Sequence, residues 1–137
     1  MMQVLLDTNI LLDLVLERED FVEAAAQVWE AHRTGRCEAF ASAITPGTVA
    51  YLVHRNRGPE AARRAARLIV EGLSICAVDS AVLYSALNLS MNDFEDAIQA
   101  AAAQAAHLDV VITRDVSGFK NSPVPALSPA AFLAQLA

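Results

Sequence analysis

Three aspartates, Asp7, Asp96 and Asp115, stand where the chain could bring carboxylates together. Asp7 closes a short apolar run, and Asp115 follows a second one, Val110-Val111-Ile112, after Thr113 and Arg114. In an open parallel sheet, ligands bind outside the carboxyl ends of the strands. Position alone therefore sets Asp7 and Asp115 on one rim. Asp96 belongs to the first turn of the helix expected before the second run, beside the small, apolar stretch Ala97-Ile98-Gln99-Ala100-Ala101-Ala102-Ala103. Carboxylates that converge repel one another and raise each other's pKa. A divalent cation removes that penalty, and oxygen-only donors select a hard one, Mg²⁺ or Mn²⁺.

Other polar residues fall near these three. Asp93 is three residues before Asp96 and shares its helix face; it serves as a helix cap, a site acid, or both. Glu95 lies about 100° around the same helix. Asn9 follows Asp7 closely enough to hydrogen-bond its carboxylate and orient it. Asp13, four residues on and flanked by apolar neighbours, could touch the rim of the site. Thr113 could position an acid or a water. The three histidines, His32, His54 and His107, form no HxxxH or HExxH pattern, which excludes a zinc site of the usual spacing. No phosphate-binding glycine loop occurs. Five of the ten basic residues, Arg55, Arg57, Arg63, Arg64 and Arg67, crowd into thirteen positions. They read as a solvated helix face or as a phosphate-contacting edge.

The elements that must position these groups alternate between strand and helix. Strands are expected at 3–7, 37–41, 73–78 and 109–113, with a short edge segment at 124–127. A first helix starts at Thr8 or Asn9 and runs to Leu16. Asp20 reads as the N-cap of a second, ended near Thr34 by Gly35. Thr45 caps a third, with Pro46 at its first position, ending near Gly58. Pro59 opens the next, to Gly72. Asp79 or Ser80 caps a helix to about Leu89, and Asn92 or Asp93 one to about His107. Ser128-Pro129 begins the last, to Leu136. The apolar runs 4–6 and 110–112 lack alternation, so both sheet faces are buried and the sheet is parallel with helices on each side.

Composition agrees with such a domain. The 137 residues, 55% hydrophobic and rich in alanine, fit one domain at 1–137. The net charge of −6 argues against nucleic-acid binding by bulk charge. Cys37 and Cys76 make no CxxC pair and read as buried thiols in a reducing cytoplasm. The N-terminus lacks the basic start of a signal peptide. No apolar stretch reaches the roughly 18 residues of a membrane span.

At the residues above, the chain resembles the PIN domain family of small metal-dependent ribonucleases. The matching segments are Leu5-Leu6-Asp7-Thr8-Asn9, Asp96-Ala97-Ile98-Gln99-Ala100-Ala101-Ala102, and Ile112-Thr113-Arg114-Asp115 followed by Phe119. The resemblance implies a Rossmann-like parallel sheet of four to five strands. It implies a Mg²⁺ or Mn²⁺ site at Asp7, Asp96 and Asp115, with Asn9 and Thr113 in support, and cleavage of RNA phosphodiester bonds. It also implies the toxin of a toxin–antitoxin pair, with a cognate antitoxin and a homodimeric state. The family usually supplies a further glutamate from the helix after the second strand. That position falls at Thr48, and no acid occurs between Glu38 and Glu60. Asp93 is expected to take over part of the missing charge, as a catalytic acid beside the other three. The arginines at 55–67 would contact the RNA backbone outside the acidic cleft.

Two alternatives remain open at the level of sequence. Without an acid at Thr48 the domain could be a catalytically weakened PIN domain that binds RNA or protein. An aspartyl-phosphate phosphatase would need a second aspartate where Asn9 stands and a lysine near the site; Lys120 is the only lysine.

Overall fold

A computed structural model describes all 137 residues. Five strands, β1 (Gln3–Leu6), β2 (Glu38–Ser42), β3 (Ser74–Cys76), β4 (Val110–Ile112) and β5 (Ala126–Leu127), form one sheet in the order β3-β2-β1-β4-β5. Every neighbouring pair is parallel. The helices are α1 (Thr8–Val15), α2 (Val22–Arg33), α3 (Thr45–Gly72), α4 (Ser80–Leu87), α5 (Phe94–Ala105) and α6 (Pro129–Leu136). A 3-10 turn at Val116–Phe119 follows β4.

The flat apolar strands have two buried faces because two cores sandwich them. Val4 and Leu6 of β1, Ala39 and Ala41 of β2, and Val110 and Ile112 of β4 point into a core shared with α1, α2, α3 and α6. Leu5 and Val111, the intervening residues, point into a second core with α4 and α5. Period-two alternation of side chains thus divides the two cores, while every position stays apolar. Seven consecutive residues of α5, from Ala97 to Ala103, are buried. Five are alanines, which are strong helix formers. Their small side chains let α5 lie close to the sheet and α4, and so bring Asp96 to the strand ends.

The chain winds from β1 outward through β2 to β3, then crosses back to lay β4 on the other side of β1. The winding reverses between β1 and β4, where such sheets leave a crevice at the strand ends. Asp7 follows β1 there, and Thr113 to Asp115 follow β4.

Several local boundaries differ from those read in the sequence. Asp20 does not cap α2. Phe21 takes the cap position without a side-chain bond, because the preceding turn is closed by backbone bonds from Phe21 and Val22 to Arg18. Thr45 is the first residue inside α3 rather than its cap. Ile44 precedes it, and the Thr45 hydroxyl turns inward to other polar groups. The stretch 45–72 is helical throughout except for a kink at Gly58, whose φ of 86° favours glycine. Gly35, at φ 78°, follows the end of α2 as expected. His107 adopts φ 57° just past the end of α5. Cys37 precedes β2, and both cysteines are buried free thiols.

Candidate metal centre at the sheet crevice

Asp7, Asp93 and Asp115 each begin a helical segment, and Asp96 lies in the first turn of α5. Asp7 is the N-cap of α1 and accepts the Thr8 N–H at 2.8 Å. Asp93 caps α5 and accepts the Asp96 N–H at 2.9 Å. Asp115 caps the 3-10 turn, its Oδ1 accepting the Ser117 hydroxyl at 3.0 Å and the Gly118 N–H at 3.2 Å. Aspartates are common at such positions because free N–H groups there await an acceptor.

Asp7 is buried, with 6% of its surface exposed. Its Oδ1 also accepts from Gln99 Nε2 at 3.3 Å, and its Oδ2 from the Thr113 hydroxyl at 2.8 Å. A carboxylate offers about four acceptor positions. Three are filled, and the one left is on Oδ2. The same Thr113 hydroxyl accepts the Asp115 N–H at 3.0 Å. One buried hydroxyl therefore ties Asp7 to the backbone of Asp115. Beneath Asp7, Gln99 Nε2 reaches the hydroxyls of Thr8 and Thr45, and Thr45 contacts Thr8 and Ser42. Gln99, Thr45 and Ser42 are fully buried, and Gln99 Oε1 has no partner. Sequence reasoning did not single out this network. A glutamine inside an alanine run, at i+3 from Asp96, was the signal that could have found it.

Asp96 is half-buried, and its carboxylate makes no hydrogen bond within the chain. Its pKa is pushed up to about 7, first by burial and then by the charges of Asp7, Asp93, Asp115 and Glu95. Burial likewise raises the Asp7 carboxyl. Its bonds from Thr113, Thr8 and Gln99 oppose the rise, and the charge of Asp115 adds to it. Asp93, Asp96 and Asp115 line an open cleft of about 330 Å³ with Ser117, Gly118 and Lys120. A methyl group on Gly118 would lie 2.6 Å from Asp115 Oδ2 and 3.2 Å from Asp96 Oδ2. Glycine at 118 thus keeps a gap open between two carboxylate oxygens.

These features suit a hard divalent cation. The donors are all oxygens, their charges strain one another, and free lone pairs face a space that no side chain fills. As they stand, no three acidic, histidine or cysteine side chains are grouped tightly enough to enclose one ion. The carboxylates share a crevice without forming a closed coordination shell.

Other expected residues lie elsewhere. Asn9 makes no bond to Asp7. Its Oδ1 instead accepts the Arg114 N–H at 3.5 Å, because α1 turns it towards the loop after β4. Asp13 is buried away from the cleft, against Arg114 and Arg18. Thr48 lies in the first turn of α3, its hydroxyl donating to the Ile44 carbonyl at 3.2 Å. None of Arg55, Arg57, Arg63, Arg64 and Arg67 lines the acidic cleft. Arg57 donates to the Val15 and Leu16 carbonyls at the end of α1, Arg55 packs over Tyr51, and Arg67 pairs with Glu71. Arg63, Arg64 and Arg67 share an exposed groove with Pro59 and Glu60.

Known proteins match this arrangement of elements. A family model described as "PIN domain" matches residues 3–117. The chain is similar in structure to one in the DNA-bound VapBC of Salmonella typhimurium, with TM-score 0.75 and 17% identity, covering 94% of this chain and 99% of that one. It is similar to a chain of a toxin–antitoxin complex from Klebsiella pneumoniae, with TM-score 0.68 and 25% identity, over 92% and 97%. It is also similar to VapC20 of Mycobacterium tuberculosis, a toxin that cleaves the sarcin–ricin loop, with TM-score 0.66 and 16% identity, over 79% and 86%. No curated protein sequence matches the chain significantly. With the family pattern matched over most of its length, the chain belongs to the PIN domain family.

Proposed function

We propose that the protein is a Mg²⁺- or Mn²⁺-dependent endoribonuclease and the toxin of a toxin–antitoxin pair. The observation that carries this reading is the convergence of Asp7, Asp96 and Asp115 at the sheet crevice, where their mutual repulsion helps lift Asp96 to about 7. Asp7 through its one open position on Oδ2, Asp96 and the free Oδ2 of Asp115 would hold the cation. When bound, the cation polarises a phosphate oxygen and lowers the pKa of an attacking water. Thr113 and Gln99 hold Asp7 in place and, by donating to it, oppose the rise in its pKa that burial causes. Asp93, exposed at the mouth of the cleft, orients the attacking water. Lys120 lines the same cleft and supplies a positive charge for a backbone phosphate. Arg63, Arg64 and Arg67 offer a second, more distant phosphate-contacting edge.

The likeness to chains of VapBC and toxin–antitoxin complexes supports a cognate antitoxin as partner. Helix α4 carries no charged side chain and exposes Tyr84 and Leu87, which suits a homodimer contact. No helix is long and apolar enough to cross a membrane, and we place the activity in the cytoplasm.

A second reading rests on Thr48. No acid comes from α3, so the site has one carboxylate fewer than the family pattern implies, and the domain would then bind RNA or protein without cutting. Calorimetric titration with Mn²⁺ and a Mg²⁺-dependent RNA cleavage assay separate the two. Cleavage that disappears in Asp7→Asn, Asp96→Asn and Asp115→Asn supports the nuclease. Equal cleavage in all three variants sinks it, and RNA binding with no Mn²⁺ affinity below the millimolar range favours the binding module.

A further inference from the structure

Asp13 is more deeply buried than Asp7, with 1% of its side chain exposed, yet it lies outside the acidic cleft. Its two oxygens receive the Arg114 guanidinium as a fork, Nε to Oδ2 at 2.6 Å and Nη2 to Oδ1 at 3.2 Å. Arg18 Nη1 approaches the same carboxylate at 3.4 Å. The Phe21 ring lies against the Arg114 guanidinium, 3.9 Å from its centroid. Asn9, one turn before Asp13 on the same face of α1, takes the Arg114 backbone N–H. Helix α1 and the turn after it therefore grip Arg114 by its backbone, its guanidinium and its flat face.

Arg114 stands between the two residues that set the site. Thr113 before it holds Asp7 through its hydroxyl, and Asp115 after it faces the gap kept by Gly118. We infer that Asp13 is a positioning residue for the metal centre, fixing the segment 113–115 through Arg114 and thereby setting Asp115 against Asp7 and Asp96. A buried ion pair is a weak way to stabilise a core. A bidentate guanidinium fork is a strong way to fix an orientation. Partners that orient metal-binding groups commonly change metal affinity by about 10- to 100-fold when removed. The inference rests on the metal-dependent reading of the site, and its test contains an arm that does not.

The test uses Asp13→Asn, Arg114→Met and the double variant in the full chain. Arg114→Met keeps an apolar side chain against Phe21 and carries the test if Asp13→Asn does not fold. Hydrogen exchange of the Asp115 and Gly118 amides is measured on metal-free protein, and Mn²⁺ affinity by calorimetry. Each single variant should speed exchange at these amides about tenfold, with β1 and β2 amides unchanged, and weaken Mn²⁺ binding about tenfold. The double variant should lose no more than either single one, since both act through one chain of contacts. Unchanged local exchange together with unchanged Mn²⁺ affinity in Arg114→Met overturns the inference, whatever the melting temperature does. If the wild-type protein binds no Mn²⁺, the functional reading fails, and the exchange rates alone decide whether Asp13 positions the segment.

Discussion

Replacing Asp96 by asparagine should make the metal-free protein more stable at pH 8. Burial and the neighbouring carboxylates push the Asp96 carboxyl up to about 7 in the folded chain, against an ordinary value of 3.8. Its folded pKa is raised, so between about pH 4 and 7 the folded state holds a proton that the unfolded state has released. Stability therefore falls as pH rises through that window and stays low above it. Each pKa unit corresponds to about 1.4 kcal/mol, so the full effect would be about 4 kcal/mol. Asp96 is only half-buried, and solvent screening cuts this to about 1–2 kcal/mol. The carboxylate makes no hydrogen bond within the chain, so asparagine sacrifices none. In a chelator at pH 8, Asp96→Asn should melt about 3–6 °C above the wild type, with the difference vanishing near pH 4. Saturation with Mn²⁺ should reverse the order, since a ligand at 100 times its Kd stabilises the binding form by about 2.7 kcal/mol. Thermal melts at pH 4, 6 and 8, with chelator and with Mn²⁺, read all of this. A variant no more stable than the wild type at pH 8 in chelator would refute the claim of uncompensated charge. Equal stabilisation of both proteins by Mn²⁺ would remove Asp96 from the metal centre.

Three further outcomes follow from the same geometry. Thr48→Glu places an acid in the first turn of α3, where the helix dipole favours it; calorimetry should show Mn²⁺ affinity raised about tenfold, and an unchanged value would mean that Thr48 does not face the centre. Gly118→Ala sets a methyl 2.6 Å from Asp115 Oδ2, at a cost of about 1–3 kcal/mol in stability; urea unfolding and titration should show the loss and at least tenfold weaker Mn²⁺ binding, whereas native affinity would show that the gap is not needed. Lys120→Ala should raise the KM for RNA while leaving kcat nearly unchanged, and should lower by about one the number of phosphates counted from the salt dependence of binding; identical salt slopes would rule out a phosphate contact there.

What the sequence revealed of the fold came from short-range signals. Continuous apolar runs announced strands buried on both faces, and Gly35, Gly58 and Asp79 marked the turns and caps found in the structure. The misplaced boundaries at Asp20 and Thr45 reflect partners that local propensity does not reveal: a backbone turn closed on Arg18 at the first, and tertiary contacts at both. Phe21 is held against Arg114, and the Thr45 hydroxyl joins the buried group under Asp7. Asp7 and Asp115 were legible because strand ends define a crevice without any knowledge of side-chain contacts. Of the partners of Asp7, Thr113 was legible as a hydroxyl able to position an acid, whereas Gln99, 92 residues away, was not. Asn9 shows the opposite error. It is near Asp7 in sequence, but α1 directs its amide to Arg114 instead.

The chain keeps its arginines out of the acidic cleft, and Lys120, which lines it, makes no ion pair with the carboxylates there. Nine arginines and one lysine are available, and a structural cluster of carboxylates would ordinarily draw some of them in. Arg114 is adjacent in sequence to Asp115 yet turns to Asp13. Arg57 serves the carbonyls at the end of α1, and Arg67 pairs with Glu71 on the surface. Every hydrogen bond to Asp7, Asp93 and Asp115 comes from a neutral donor: a hydroxyl, an amide or a backbone N–H. Neutral donors orient a carboxylate without cancelling its charge. The charge thus remains concentrated at the crevice, at a cost in stability that a bound divalent ion would return and that Asp96→Asn would reduce.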